Sequence, residues 1–439
     1  MVEPNATAVA PPNRRSTHRV PRARAAAAVA LAGIAACGGV QRPAVRVPAA
    51  VKSARAEPPA GATPRAEPPA APRVYRFEPM RIDVVTDDTG AERVVAYDAG
   101  DLLDAGNEAL AGGRADEALR YYDQLLADFP DSALVPAALF NAGLAHEQRR
   151  EWDRAIARYR ELAESPAARA ADAIDGALRL AAVLAELERW GEATAALERL
   201  LARDDLSDGA RIEALARLGY VLIESGDYPG AEDVLRSALA YYDDIRDRVV
   251  LDTDYYVAMC HYYLAQIPHR EFLAIPIRLP DKQTKRDLDA KADRLLIAYD
   301  RYLATVEVGN PYWASAAGYQ LASMYKQYWD ALVRAPIPPR LGPEAADLYV
   351  KEVHRLSRQF LDKALAAHQK NASLEDRGIR TVWTEASREQ VAVITDILAR
   401  EAAGELVVPE AGDAAAPAPR LDPDAGTAAV DYVPGRVDL

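Results

Sequence analysis

Two thiols and six imidazoles are the groups in this 439-residue chain best suited to covalent or acid–base chemistry. The histidines (His18, His146, His261, His269, His354 and His368) sit singly. None forms the His-Glu-x-x-His pair that would place two zinc ligands on one helix face. Cys260 lies in the apolar run Tyr255-Tyr256-Val257-Ala258-Met259-Cys260-His261 and reads as a buried small residue rather than a nucleophile. Gly38-Gly39 and Gly112-Gly113 lack the Lys-Ser/Thr that completes a phosphate-cradling loop, and no serine occupies a Gly-x-Ser-x-Gly elbow. Acidic residues are abundant, but at helical spacing they form solvated faces. The chain is therefore not read as an enzyme, and no catalytic, cofactor-binding or metal-ligating residue is expected.

Cys37 is different, because its chemistry is set by what precedes it. Residues 1–36 carry five arginines and one acid, a charge of +4, against −13 for the whole chain. Ala25–Ala36 then form an uncharged stretch that as a helix would span about 18 Å, too short for the roughly 30 Å core of a bilayer. A basic segment followed by a short apolar one reads as an export signal, and a start at Val20 would merely shorten its basic part. The stretch ends Ile34-Ala35-Ala36-Cys37-Gly38, which resembles the bacterial lipobox. That resemblance implies cleavage before Cys37, acylation of its sulfur and amine, and a two- or three-chain membrane anchor. With Gly38 rather than aspartate next, it also implies the outer membrane. The competing reading is an ordinary secretory signal with an incidental cysteine. The remaining 403 residues carry −17, which argues against a nucleic-acid partner.

Residues 37–75 read as a tether. Val40–Pro72 is rich in proline and alanine, with Arg-Ala-Glu-Pro-Pro at 55–59 and again at 65–69. Such a segment favours extended polyproline-like conformations. Between 76 and 98, alternating β-branched residues in 81–86 and 92–97 flank a turn containing Gly90 and predict a β-hairpin.

From 99 to 245 the sequence predicts paired amphipathic helices that repeat four times. Aligned on Ala118, Ala155, Ala193 and Ala231, the units are 37, 38 and 38 residues apart. Twelve residues before each alanine stand Gly106, Gly143, Ala181 and Gly219. Three before stand Ala115, Trp152, Trp190 and Tyr228, and four after stand Tyr122, Tyr159, Leu197 and Leu235. Pro130 follows the first pair. Small residues on one helix facing large ones on the next allow close helix approach. The pattern resembles the tetratricopeptide repeat, which implies an all-α solenoid of helical hairpins acting as a protein-interaction scaffold.

Residues 246–402 predict irregular helical repeats, with runs over 252–266, 284–305, 312–334, 344–369 and 375–402. Proline-rich breaks are expected over 267–280 and 335–343. Eleven of the 21 tyrosines fall between Tyr255 and Tyr349. They are read either as helix–helix packing or as an interface. Residues 403–439 predict an acidic disordered tail.

By resemblance to tetratricopeptide arrays, the first helix of each pair lines a binding groove, at Asn107, Phe140, Glu147, Asp175, Glu186, Glu213, Tyr220 and Glu224. Its five acids would either attract a basic or helical partner segment or simply keep the groove soluble. Asn107, Asn141 and Arg179 match three positions of a carboxylate clamp, but Leu103 and Asp175 stand where that clamp has lysines, so a clamp is not expected. The whole plan resembles tetratricopeptide lipoproteins of Gram-negative outer membranes, including the barrel-assembly lipoprotein. The segment Trp329–Leu341 through Tyr349, with Phe360–Leu365, resembles the lipoproteins of the myxobacterial gliding-motility complex. These resemblances imply a periplasm-facing scaffold binding envelope proteins, in motility or alternatively in β-barrel insertion or peptidoglycan–outer-membrane coordination. A regulator of a periplasmic hydrolase is a third class.

Overall fold

The computed structural model describes residues 79–86, 90, 92–166 and 168–409, all within one compact unit, Tyr75–Leu439. The export signal, Cys37, the tether, most of the hairpin turn and the tail from 410 lie outside the described residues.

The chain enters through a two-stranded antiparallel hairpin, β1 (Met80–Thr86) and β2 (Glu92–Asp98), in register Met80↔Asp98 to Thr86↔Glu92. Tyr97 anchors it to the helices. Its hydroxyl donates to Asp83 at 2.7 Å and Asp128 at 2.9 Å, and its ring meets Phe129 edge-on. Asp98 ends β2 and caps the first helix in a reciprocal box with Asp101.

Four helical hairpins follow: α1 (Ala99–Ala111) with α2 (Ala115–Asp128), α3 (Val135–Gln148) with α4 (Trp152–Glu164), α5 (Ala170–Glu186) with α6 (Trp190–Leu201), and α7 (Asp208–Ser225) with α8 (Tyr228–Ile245). The aligned alanines 118, 155, 193 and 231 are all fully buried. A Cβ on Gly106 or Gly143 would meet the ring of Tyr122 or Tyr159 at 2.4 Å, and one on Gly219 would meet Leu235. Glycine is required there because the partner side chain occupies the space against the helix backbone. The turn inside each hairpin is closed by the same backbone bond, from Arg114, Glu151, Arg189 and Asp227 to the carbonyls of Ala109, His146, Leu184 and Leu222, at 2.8–2.9 Å. It needs one left-handed residue, supplied by Gly113 and Gly226 in the outer repeats and by Arg150 (φ 57°) and Glu188 (φ 56°) in the inner two.

The C-terminal part has longer helices: α9 (Tyr255–Ala274), α10 (Asp281–Val308), α11 (Pro311–Val333), α12 (Pro343–Ala372) and α13 (Val382–Ala402), with one 3-10 turn at Ser373–Arg377. The expected break at 267 is not there. α9 runs through the buried Pro268 to Ala274, and the chain breaks only at 275–280. A proline inside a helix strands the carbonyl four residues earlier. Here that carbonyl, Leu264, accepts from Arg301 Nη1 at 2.8 Å. The second break matches at 334–342, while the last run divides into the 3-10 turn and α13.

The tyrosines are mainly core. Tyr255, Tyr256, Tyr262, Tyr263, Tyr302 and Tyr319 are buried, stacked around Trp313 and Trp383 in a cluster joining α7–α9 to α10, α11 and α13. Their hydroxyls are partly absorbed by buried polar groups. Gln266 and Gln320 donate to Tyr262, and His269 bridges Tyr302 at 3.0 Å and Gln327 Oε1 at 2.8 Å. Because Gln327 accepts through Oε1, Nε2 of His269 carries the proton and Nδ1 accepts from Tyr302. The expected tail also starts later than 403. Val407 is buried against Trp329, Leu361 and Ile394, and Arg334 donates to the Pro409 carbonyl.

Candidate protein-interaction surface

The eight groove positions lie on the first helix of each pair: Asn107 on α1, Phe140 and Glu147 on α3, Asp175 and Glu186 on α5, and Glu213, Tyr220 and Glu224 on α7. Most of their side chains are engaged with other residues of the fold, several of them on the neighbouring repeat. Asn107 Oδ1 accepts from Tyr122 at 2.9 Å and from Asn141 on α3 at 2.7 Å. Glu147 accepts the Tyr159 hydroxyl at 2.5 Å and both Nε and Nη2 of Arg179 on α5. Glu213 accepts from Arg217 and from Tyr256 on α9, and Glu224 from Arg270 on α9. Polar pairs thus link α1 to α3, α3 to α5 and α7 to α9 along these helices.

This changes the expected electrostatics. Glu147, Glu213 and Glu224 each pair with an arginine of the chain itself, so the row is far less negative than its five acids imply. Glu186 is exposed at the end of α5 with no ion-pair partner among the described residues, and Asp175 is half-buried. Burial and the adjacent Glu147 carboxylate hold the Tyr159 hydroxyl far above its ordinary range, which fixes it as a donor. The three clamp-like residues are spent internally: Asn107 and Asn141 bind each other, and Arg179 is held by Glu147. Leu103 is buried.

Apolar contact is offered by Tyr220, half-buried, with Trp190 edge-on at 6.3 Å and Tyr263 at 5.2 Å. Phe140 is instead packed into the core against Tyr159. Of the arginines that set the charge of the surface, Arg217 and Arg270 were not distinguished by sequence reasoning, and Arg179 only as a clamp-like position rather than as the partner of Glu147. Their signal is a spacing of 32 residues for Glu147–Arg179 and 46 for Glu224–Arg270, about one repeat in each case. Cys260 is fully buried and burial pushes its thiol well up, out of nucleophilic range. Among the described residues no group of three His, Cys, Asp or Glu is placed to hold a metal ion, and no helix is long and apolar enough to cross a membrane.

The repeat register, the glycine-on-tyrosine packing and the common turn define four tetratricopeptide-type hairpins. Residues 103–173 and 178–245 match the tetratricopeptide-repeat family model. Among solved structures, a tetratricopeptide repeat protein from Parabacteroides merdae is similar at 12% identity and TM-score 0.32, over 68% of this chain and 98% of that one. A human IFIT1 dimer with m7Gppp-AAAA is similar at 13% identity and TM-score 0.31, over 70% of this chain and 66% of that one. No curated protein matches the chain.

Proposed function

We propose that this protein is a scaffold that holds envelope proteins together along the first-helix face of its tetratricopeptide repeats, tethered to the outer membrane through acylated Cys37 and facing the periplasm. The observation that carries the scaffold reading is the seam of cross-repeat pairs. It ties neighbouring hairpins to one another along one face, while Glu186 stays exposed and the Trp190–Tyr220 contact offers apolar surface to a partner. Preorganised faces of this kind lose little entropy on binding a helix or extended segment. The basic leader and the Ala35-Ala36-Cys37-Gly38 sequence support the anchor and the compartment. The finer reading, a subunit of a gliding-motility complex, is supported by the Trp329–Leu341 sequence. There Trp329 is fully buried and Arg334 ties the end of α11 to Pro409. The test is a crosslinked pull-down of the full chain with Cys37 intact, compared with Cys37→Ser. The proposal expects membrane-associated envelope partners that are lost or redistributed in the variant. A cytoplasmic partner set, or equal fractionation of both forms, would contradict it.

A further inference from the structure

One junction between repeats lacks the side chains that fill the others. Sixteen residues before the aligned alanine, the four repeats carry Leu102, Leu139, Ala177 and Leu215; eight after it they carry Leu126, Ala163, Leu201 and Leu239. Both exceptions fall at the same place, where α4 meets α5 and α6. There the fold leaves a cavity of about 110 Å³, open to solvent and lined by Ala163, Ala173, Ala177, Leu180, Ala196 and Leu200. Its floor is well formed: Ala173, Leu180, Ala196 and Leu200 are all under 5% exposed. The void has the size of a large aliphatic side chain, and an apolar hole of this kind gains free energy when such a group enters it.

The mouth differs from the other repeats as well. Glu164, Arg199 and Arg203 border it, and where these two arginines stand the equivalent positions read Gln124, Glu161 and Ser237, and Asp128, Ser165 and Tyr241. Arg203 is held by a two-pronged pair with Asp205 at 2.9 and 2.7 Å. Arg199 is exposed and has no partner among the described residues. Two missing leucines and an exposed arginine with no ion-pair partner among the described residues therefore coincide at one junction.

We propose that this cavity is a docking socket for a partner protein segment that inserts one leucine-class side chain and places a neighbouring carboxylate on Arg199. The inference rests on the scaffold reading and adds a second contact point, apart from the first-helix row. Arg199 supplies orientation and a salt-sensitive share of the affinity, and the cavity supplies the anchor.

The test pans the full-length protein against a phage-displayed library of short random peptides and titrates those recovered against variants. Peptides sharing Leu, Ile or Met beside Asp or Glu are expected. A163L/A177L restores the leucines of the other junctions, so it should keep or raise the melting temperature while weakening these peptides at least about tenfold. A163L alone, the less crowded filling, should weaken them in the same direction. R199E should weaken them by a factor that shrinks as salt is raised. Peptides indifferent to A163L/A177L but lost on E186R would overturn the socket and leave the scaffold reading intact. Recovery of no specific peptide would contradict both.

Discussion

Glu147 on α3 grips Arg179 on α5 through two hydrogen bonds, at 2.9 and 2.6 Å, with the Tyr159 hydroxyl completing the carboxylate's shell. The pair spans a repeat boundary, and the carboxylate side chain is only 11% exposed. Arg179→Ala is expected to destabilise the chain by about 2 kcal/mol, because it leaves a mostly buried charge without its partner. Glu147→Gln should cost less, and a double-mutant cycle read by denaturant melts should show coupling of about 1–3 kcal/mol. Additive losses would remove this pair from the seam.

Gly143→Ala sets a Cβ against the Tyr159 ring and is expected to cost about 1–3 kcal/mol in urea unfolding. The third repeat already pairs Ala181 with Leu197 at these positions, both buried. Tyr159→Leu should therefore recover part of the loss when combined with Gly143→Ala, although it forfeits the bond to Glu147.

Arg150 and Glu188 hold left-handed backbone at turns where the flanking repeats use Gly113 and Gly226. Relieving that conformation is worth about 1–2 kcal/mol, offset in part by the extra freedom of an unfolded glycine. Glu188→Gly is accordingly expected to raise stability by a few tenths to about 1 kcal/mol by thermal or urea unfolding. Arg150→Gly should do less, since the turn it serves also carries the neighbouring Arg149–Glu151 pair.

Burial lowers both His269 and His368 from 6.5 to about 4. The unfolded chain therefore binds more protons than the folded one between those values, so stability falls as pH drops from about 6.5 to about 4. Above 6.5 both states are neutral at these groups and the dependence vanishes. Unfolding free energies measured across this window should show that slope, and it should flatten in a His269→Gln/His368→Asn variant. A slope unchanged in that variant would assign it to other groups.

Much of the first half of the fold was legible because each repeat carries its own packing instruction, a small residue facing a large one at fixed spacing. The C-terminal half was less so. Pro268 reads locally as a break, and the guanidinium that takes up its stranded carbonyl, Arg301, comes from another helix. The tyrosine excess reads equally as core or interface until Trp313 and Trp383 are seen to gather the rings. The acid-rich groove was misjudged for a related reason. Its countercharges, Arg179 and Arg270, lie a repeat away in sequence and only folding brings them onto Glu147 and Glu224.

The central claim is that the first-helix face of the repeats holds a protein partner. Site-specific photocrosslinking tests it most directly, with the reactive group placed in turn at Glu186 and Asp175 on that face and at Arg236, exposed on the second helix of its pair, as the control. Discrete adducts with an envelope protein from Glu186 and Asp175, and none from Arg236, are the expected result. No adducts from any position, or the same pattern from all three, would contradict the account.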